Sequence, residues 1–236
     1  MSEPCPKCRL LGKDTRGDNL QTFTDGGKFC FACGHTEKST HFVPPATFQA
    51  NQTFITGVIP TNLVGYLLRY LTIQEIHKYF TYDCGTSRLV LKPTLPEFYW
   101  GRSDVYSPKV LTRGRVPFHI FGGIYPEGRE VSNTCVMVED PISAIKISRI
   151  YDAVPLFGAY FRPEWFGNLK RMGYSDVVFW LDHDKSQEGL KLALAGRHLF
   201  HTGWVTTISD PKLYDNQDIR LLVSNTKKRE IIHAQA

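Results

Sequence analysis

Apolar runs alternate with helix-like segments along the second half of the chain. The runs TCVMVE (134–139), AVPLFGAY (153–160) and VVFWLD (177–182) are each followed by a segment with helical periodicity, and WVTTISD (204–210) closes the series. Pro141 suits the first position of the helix that follows the first run. Continuous apolar strands that alternate with helices indicate a parallel sheet covered on both faces. We therefore predict an α/β fold for this part of the chain.

The remaining sequence divides into three regions. Residues 63–80 show helical periodicity, and SRLVLKP (87–93) and PEFYWGR (96–102) have the character of strands. Residues 1–38 contain four cysteines and few large aliphatic side chains, so a core this small needs a staple. Residues 39–54 are polar, contain a Pro-Pro pair and lack periodicity, which is typical of a linker. The pattern predicts a small domain over 1–38, a linker over 39–54 and a larger α/β unit from residue 55.

Composition narrows the class of protein. The chain has 236 residues, of which 42% are apolar, enough for one ordinary core and a small satellite domain. A net charge of +5 and a pI of about 8.8 favour an anionic partner such as nucleic acid. No apolar run approaches the roughly 18 residues that cross a bilayer, and the N-terminus lacks the apolar segment of a signal peptide. We expect no membrane partner and a location in the cytoplasm, or in the host cytoplasm if the protein is viral.

Four of the six cysteines form two C-x-x-C pairs separated by 21 residues. In a reducing compartment such pairs indicate a zinc site rather than disulfides, because each pair supplies two thiolates to a tetrahedral centre. His35 and His41 are rival ligands that a four-cysteine site does not need. The spacing predicts one structural Zn²⁺ bound by Cys5, Cys8, Cys30 and Cys33.

Acidic residues end three of the four predicted parallel strands: Glu139, then Asp182 with Asp184, then Asp210. Ligands of open α/β sheets bind at the carboxyl ends of the strands. Residues i and i+2 of an extended chain project to one side, so Asp182 and Asp184 are expected to face one point. Grouped carboxylates repel one another unless a cation lies among them, and oxygen ligands suit Mg²⁺ or Mn²⁺. The alternative is that each Asp caps the helix that follows it.

These residues resemble the Toprim domain of primases, topoisomerases and some nucleases. VMVEDPISAIKI, followed 43 residues after Glu139 by WLDHDKSQEGLKLA, is similar to the family's Glu and Asp-x-Asp motifs. The family usually has Gly where this chain has Asp140. The resemblance implies a Toprim catalytic subdomain over 133–236 that binds one or two Mg²⁺ or Mn²⁺. Asp215 and Asp218 compete with Asp210 for the last acidic position.

The N-terminal sequence CPKCRLLGKDTRGDNLQTFTDGGKFCFACGH resembles the zinc ribbon of phage primase–helicase proteins. In that family the module selects the DNA template. Asp25, five residues before Cys30, matches a template-contacting Asp of the family.

The middle of the chain, WGRSDVYSPKVL, is similar to the family's basic stretch, in which a Lys contacts nucleotide or template. Lys109 holds that place, with Arg102 and Arg113 as companions. Solvated surface cations are the alternative interpretation of these three residues. The resemblance implies that 55–132 form the basic N-terminal subdomain of an RNA polymerase domain.

Together the resemblances imply a DNA primase, a nucleotidyltransferase that makes RNA primers de novo from NTPs on single-stranded DNA. The alternatives are a non-catalytic recombination mediator and a Toprim nuclease. The motif G-x-x-x-x-G-K-[ST] of a helicase motor does not occur. We therefore expect the primase to act with a separate replicative helicase and a single-strand-binding protein.

Overall fold

The computed structural model describes residues 2–14, 17–22, 28–30, 32–37, 55–94, 98–122, 133–158 and 161–233. The chain separates into two compact units, Met1–Gln49 and Ala50–Ala236. The predicted linker, residues 39–54, lies outside the described residues.

The described residues of the first unit form a four-stranded antiparallel sheet with one short helix. Its strands follow one another in order: β1 (Ser2–Glu3), β2 (Leu20–Thr22), β3 (Lys28–Cys30) and β4 (Thr36–Glu37). Helix α1 (Pro6–Leu10) begins with proline at its first position, directly after Cys5. In the part of this unit that the structure describes, the buried apolar residues are three cysteines and Leu20, with Cys33 packed against them.

The second unit begins with two helices and an antiparallel sheet. After β5 (Thr56–Gly57) come α2 (Thr61–Leu67) and α3 (Ile73–Tyr79), then β6 (Phe80–Asp83), β7 (Arg88–Leu91), β8 (Phe98–Arg102) and β9 (Val110–Gly114). The five strands pair in sequence order. The helical pattern of 63–80 is thus divided in two. The second helix starts afresh at Ile73 because Thr72 forms a capping box with Glu75 at the start of α3.

A four-stranded parallel sheet occupies the remainder of the described chain. It comprises β10 (Thr134–Val138), β11 (Asp152–Pro155), β12 (Asp176–Phe179) and β13 (His201–Trp204), in the spatial order β11-β10-β12-β13. The helices that follow these strands are α4 (Pro141–Ile147), α5 (Glu164–Arg171), α6 (Ser186–Gly196) and α7 (Asn216–His233). The predicted α/β fold with a parallel sheet is confirmed.

Both faces of the parallel sheet are buried, as its apolar strands predict. On one face Val136 and Val138 belong to a core shared with α4, α7, α2, α3 and the antiparallel sheet. On the other face Cys135 and Met137 pack with residues of α5 and α6. The segments assigned to 55–132 and 133–236 therefore share one hydrophobic core. The last strand lies earlier than predicted: β13 covers 201–204, and most of 205–210 is a loop.

Candidate metal centres and basic groove

The four cysteine side chains of the first unit converge on one point. The Cys5 and Cys33 sulfur atoms lie 3.6 Å apart, as do those of Cys8 and Cys30. All four sulfur atoms lie within 4.8 Å of one another. A tetrahedral zinc ion with Zn–S bonds of about 2.3 Å needs sulfur atoms about 3.8 Å apart. The cluster therefore has the size and ligand set to bind one zinc ion.

Backbone hydrogen bonds hold the cysteines in two tight turns. The Cys8 carbonyl accepts from the amides of Leu11 and Lys13, and the Cys30 carbonyl accepts from the amide of Gly34. The Asp14 carboxylate accepts a 2.6 Å hydrogen bond from the Cys5 amide and a further bond from the Gly17 amide. The turns are thus fixed by local contacts rather than by a large core.

The surroundings of the thiols separate their acidities. Burial, together with the neighbouring thiols of Cys33 and Cys30, raises the pKa of Cys8 to about 12. Burial also acts to raise the pKa of Cys30, but hydrogen bonds, led by that from the Cys33 backbone amide, lower it to about 7. Cys30 therefore ionises more readily than Cys8, and a cation is needed to hold Cys8 as a thiolate.

The second candidate centre lies at the carboxyl ends of the parallel strands. Glu139 follows β10, Asp182 follows β12, and Asp210 lies in the loop after β13. This loop is held against the end of β12 because the Trp180 indole donates to the Thr207 hydroxyl at 2.9 Å. The tertiary structure therefore brings the acids that follow three different strands towards one edge of the sheet.

Two lysines neutralise part of this acidic group. Lys185 donates to Glu139 Oε1 at 2.5 Å. The buried Lys212 donates to Asp210 at 2.6 Å and to Asp140 at 3.1 Å. Asp140 also caps α4, since it accepts from the amides of Ile142 and Ser143. The alternative role considered from the sequence, helix capping, thus applies to Asp140.

Two carboxylate oxygens at this edge remain without a partner. Glu139 Oε2 and Asp182 Oδ1 are buried and accept no hydrogen bond. Burial raises the pKa of Asp182 to about 7, and the negative charges of Asp210, Asp140 and Glu139 add to the effect. Buried oxygens of this kind need a donor or a cation. Hard divalent ions such as Mg²⁺ and Mn²⁺ prefer carboxylate oxygens, so the donor set fits such an ion.

The spacing of the acids differs from that of the cysteines. Among the described residues, the cysteine group is the one in which three or more ligand atoms all lie within 4.8 Å of one another. The carboxylates are spread around the two lysine ammonium groups. The acidic edge is therefore a looser arrangement than the cysteine site.

The extended backbone predicted to aim Asp182 and Asp184 at one point is not what the structure shows. Residues His183–Lys185 form a 3-10 turn, so the extended Asp-His-Asp geometry is wrong. The turn forms because His183 Nδ1 lies 2.9 Å from the Thr207 carbonyl and the Lys185 amide donates to the Asp182 carbonyl. Asp184 is exposed, and the charges that act most strongly on Asp182 belong to other residues.

Asp215 has a local structural role, and Asp218 is exposed to solvent. The Asp215 carboxylate accepts from the amides of Gln217 and Asp218, both at 2.8 Å, and so caps the start of α7. Asp218 lies exposed in the first turn of that helix. Asp210, by contrast, acts directly on the pKa of Asp182. The arrangement favours Asp210 as the third acid of the group.

A groove of about 390 Å³ lies between α2 and the β8–β9 connection. Two of the predicted basic residues, Arg102 and Lys109, line it. The other lining residues are Asn62, Leu63, Gly65, Tyr66, Arg69 and Asp104. Burial raises the pKa of Tyr66 on the wall of this groove, and the positive charge of Arg102 opposes that rise.

Arg113 lies away from this groove. It is paired with Tyr99 across β8 and β9, whereas Arg102 is paired with Val110. Because side chains alternate along a strand, Arg113 and Arg102 project from opposite faces of the sheet. The Arg113 guanidinium lies 5.9 Å from the centre of the Tyr99 ring. Asp25, the predicted template contact, lies outside the described residues.

No protein-family model matches the chain, and a search of curated proteins finds no similar sequence. Within the described residues, no helix combines the length and apolar character needed to cross a membrane.

Sequence reasoning missed the residues that complete both the acidic edge and the groove. Lys185 directly follows the Asp-His-Asp motif and Lys212 follows Asp210-Pro211, so a lysine close behind each acidic motif was the available signal. Tyr66 and Arg69 were hidden within an ordinary amphipathic helical pattern.

Proposed function

We propose that the chain is a DNA primase, which joins NTPs into short RNA primers on a single-stranded DNA template. The observation that carries the proposal is the position of the acids. Glu139, Asp182 and Asp210 follow three parallel strands at one edge of the sheet, and Arg102 and Lys109 line a groove in the same unit. This combination supports chemistry on a phosphorylated substrate.

The strand order adds support for a site at this edge. The chain leaves β10 for its neighbour β11 and then returns past β10 to β12 and β13. The carboxyl ends of β10 and β12 therefore flank the point at which the direction of winding reverses. Open α/β sheets bind their ligands at such a reversal. Glu139 and Asp182 follow these two strands, as they do in the Toprim arrangement that their motifs resemble.

Phosphoryl transfer needs alignment and charge neutralisation more than covalent chemistry from the protein. Glu139, Asp182 and Asp210 would hold one or two Mg²⁺ or Mn²⁺ ions, which would supply charge neutralisation at the triphosphate and activation of a 3′-hydroxyl. Asp184, exposed in the turn after Asp182, stays a predicted ligand. Arg102 and Lys109 bind phosphate oxygens in the groove. Lys185 and Lys212 partly neutralise the acids and so reduce the repulsion among the carboxylates.

The zinc ribbon would supply the template contact. A zinc-bound module with few other core residues presents a rigid surface, and the sequence around its cysteines resembles the template-selecting ribbon of phage primases. Asp25 is the residue proposed to contact the template. A separate replicative helicase and a single-strand-binding protein are the proposed partners, because a basic groove alone gives salt-sensitive binding to DNA.

The test is primer synthesis by the full chain on single-stranded DNA. The reaction contains labelled NTPs, Mg²⁺ or Mn²⁺, and templates that scan all triplets, and the products are separated by size. Alkali-sensitive oligonucleotides that depend on the template support the proposal. Asp182→Asn should remove them, whereas Glu188→Gln, which removes a similar charge from α6, should not.

The same reaction distinguishes the two alternatives. Cleavage of the DNA without synthesis would identify a nuclease that uses the same acids. DNA binding with neither synthesis nor cleavage on any template would identify a non-catalytic mediator. Either result would overturn the primase proposal.

A further inference from the structure

Tyr66 occupies an unusual place in the basic groove. The Arg102 guanidinium carbon lies 4.6 Å from the centre of the Tyr66 ring, and that of Arg69 lies 4.8 Å from it. The Tyr70 ring packs edge-on against Tyr66 with the ring centres 5.4 Å apart. One aromatic ring therefore holds two guanidinium groups on the wall of the groove.

This arrangement places two positive charges against one aromatic ring. Arg69, Arg102 and Lys109 all line the groove, and Asp104 is the acid among its lining residues. Asp104 accepts a 2.7 Å hydrogen bond from Asn62. Each guanidinium gains a cation–π contact with the ring, and an anion bound in the groove would offset the positive charge that remains. Three cations against one acid leave the lining with two excess positive charges.

We propose that Tyr66 is a positioning residue that holds Arg69 and Arg102 as a paired site for the phosphates of a nucleoside triphosphate. This assignment rests on the proposed function, whose substrate it locates. Planar guanidinium groups bind phosphate oxygens through two parallel hydrogen bonds. Fixing them in advance lowers the entropy cost of binding.

The groove fits a single nucleotide better than a length of strand. Its volume of about 390 Å³ falls in the range of small-molecule pockets.

The experiment measures ATP binding to the full, zinc-loaded chain by calorimetry in Mg²⁺ buffer. Arg69 is exposed, so Arg69→Ala should fold normally and weaken ATP binding about tenfold. Tyr66→Leu should have a similar effect because both guanidinium groups lose their support. Tyr66→Phe keeps the ring and should bind within about twofold of the parent. Asp104→Asn should bind ATP more tightly, because it removes a negative charge from the groove.

Arg197→Ala, at the exposed end of α6, is the matched control and should leave ATP binding unchanged. A parallel titration uses single-stranded oligodeoxythymidylate. If Arg69→Ala weakens DNA binding and leaves ATP binding intact, the groove holds template and the assignment is wrong. It is also wrong if Arg69→Ala and Tyr66→Leu both bind ATP like the parent.

Failure of the proposed function is separable from failure of this inference. If the chain makes no primers but Arg69→Ala and Tyr66→Leu lose ATP binding, the nucleotide site is supported and the primase proposal is wrong. If the chain makes primers, and Arg69→Ala and Tyr66→Leu both keep the ATP affinity and KM of the parent, the primase proposal stands and the nucleotide site at Tyr66 is wrong.

Discussion

The cysteine site and the acidic edge both gather side chains that can bind metal ions, but they depend on their surroundings in opposite ways. In the first unit the buried apolar cluster consists of the cysteines and Leu20, so the ligands are themselves the core. In the second unit two large clusters of aliphatic and aromatic residues support the strands that carry the acids. We therefore expect folding of the first unit to depend on a bound metal ion and folding of the second unit to be independent of one.

The two sites also differ in their counter-ions. No lysine or arginine side chain contributes to the shifted pKa values of Cys5, Cys8 and Cys30, whereas Lys185 and Lys212 contact the carboxylates at the sheet edge. A protein that must stay folded without a bound ion balances its acids with its own cations. The comparison predicts that metal loss or ligand substitution will act on folding in one unit and on activity in the other.

The largest expected effect is on the first unit. Cys30→Ser should abolish zinc binding and unfold Met1–Gln49, because a zinc-stapled module with so small a core does not fold without its ion. The second unit should melt at the same temperature as in the parent. Zinc content by mass spectrometry and amide spectra of the two units check this. A parent protein purified without stoichiometric zinc would contradict the assignment of the site.

The second effect is on catalysis without unfolding. Asp182→Asn should lower primer synthesis at least about a hundredfold, because a metal ligand with a buried oxygen is lost. Template affinity should stay the same or improve, since a negative charge near phosphates is removed. Synthesis is measured with saturating NTPs, and binding by fluorescence anisotropy. Near-normal turnover in the variant would show that Asp182 holds no catalytic ion.

The third effect compares the two lysines. Lys212 is buried and bridges Asp140 and Asp210, so Lys212→Met should lower the free energy of unfolding of the second unit by about 3 kcal/mol. Lys185 is more exposed, and Lys185→Met should cost less than about 1 kcal/mol. Urea unfolding of both variants measures the difference. Equal losses would mean that burial does not distinguish the two ion pairs.

The smallest effect concerns pH. The pKa of Asp182 is about 7 in the folded chain against 3.8 for the free side chain, so its contribution to stability is full below pH 3.8 and is lost as pH rises to about 7. Because the side chain is partly exposed, solvent screening reduces the loss to about 1–2 kcal/mol.

Asp182→Asn should therefore melt above the parent at pH 8 in buffer without added divalent ion, and the gap should close near pH 4. Added Mg²⁺ should raise the melting temperature of the parent more than that of the variant. Thermal scans of the second unit measure both differences. If the difference in melting temperature between variant and parent does not change with pH, the Asp182 charge is not its cause.

Much of this architecture follows from local sequence. The cysteine spacing, the proline at the start of α4 and the apolar runs of β10 and β12 depend on neighbouring residues, and the structure agrees with each. The division of 63–80 into two helices also had a local cause, the Thr72–Glu75 capping box, which the hydrophobic periodicity concealed. The Asp-His-Asp turn, in contrast, was predicted as extended because its tertiary contact with Thr207 has no sequence signal.

What the sequence determined by itself is the set of ligands and the strands that carry them, because these depend on residue type and short-range spacing. Only the tertiary structure decided which charges meet. Lys212 contacts Asp140 across 72 positions, and Asn62 contacts Asp104 across 42. Such contacts depend on the strand order and on the packing of α2 against a shared core. The choice of Asp210 over Asp215 and the pairing of Arg69 with Arg102 on Tyr66 arise from that packing.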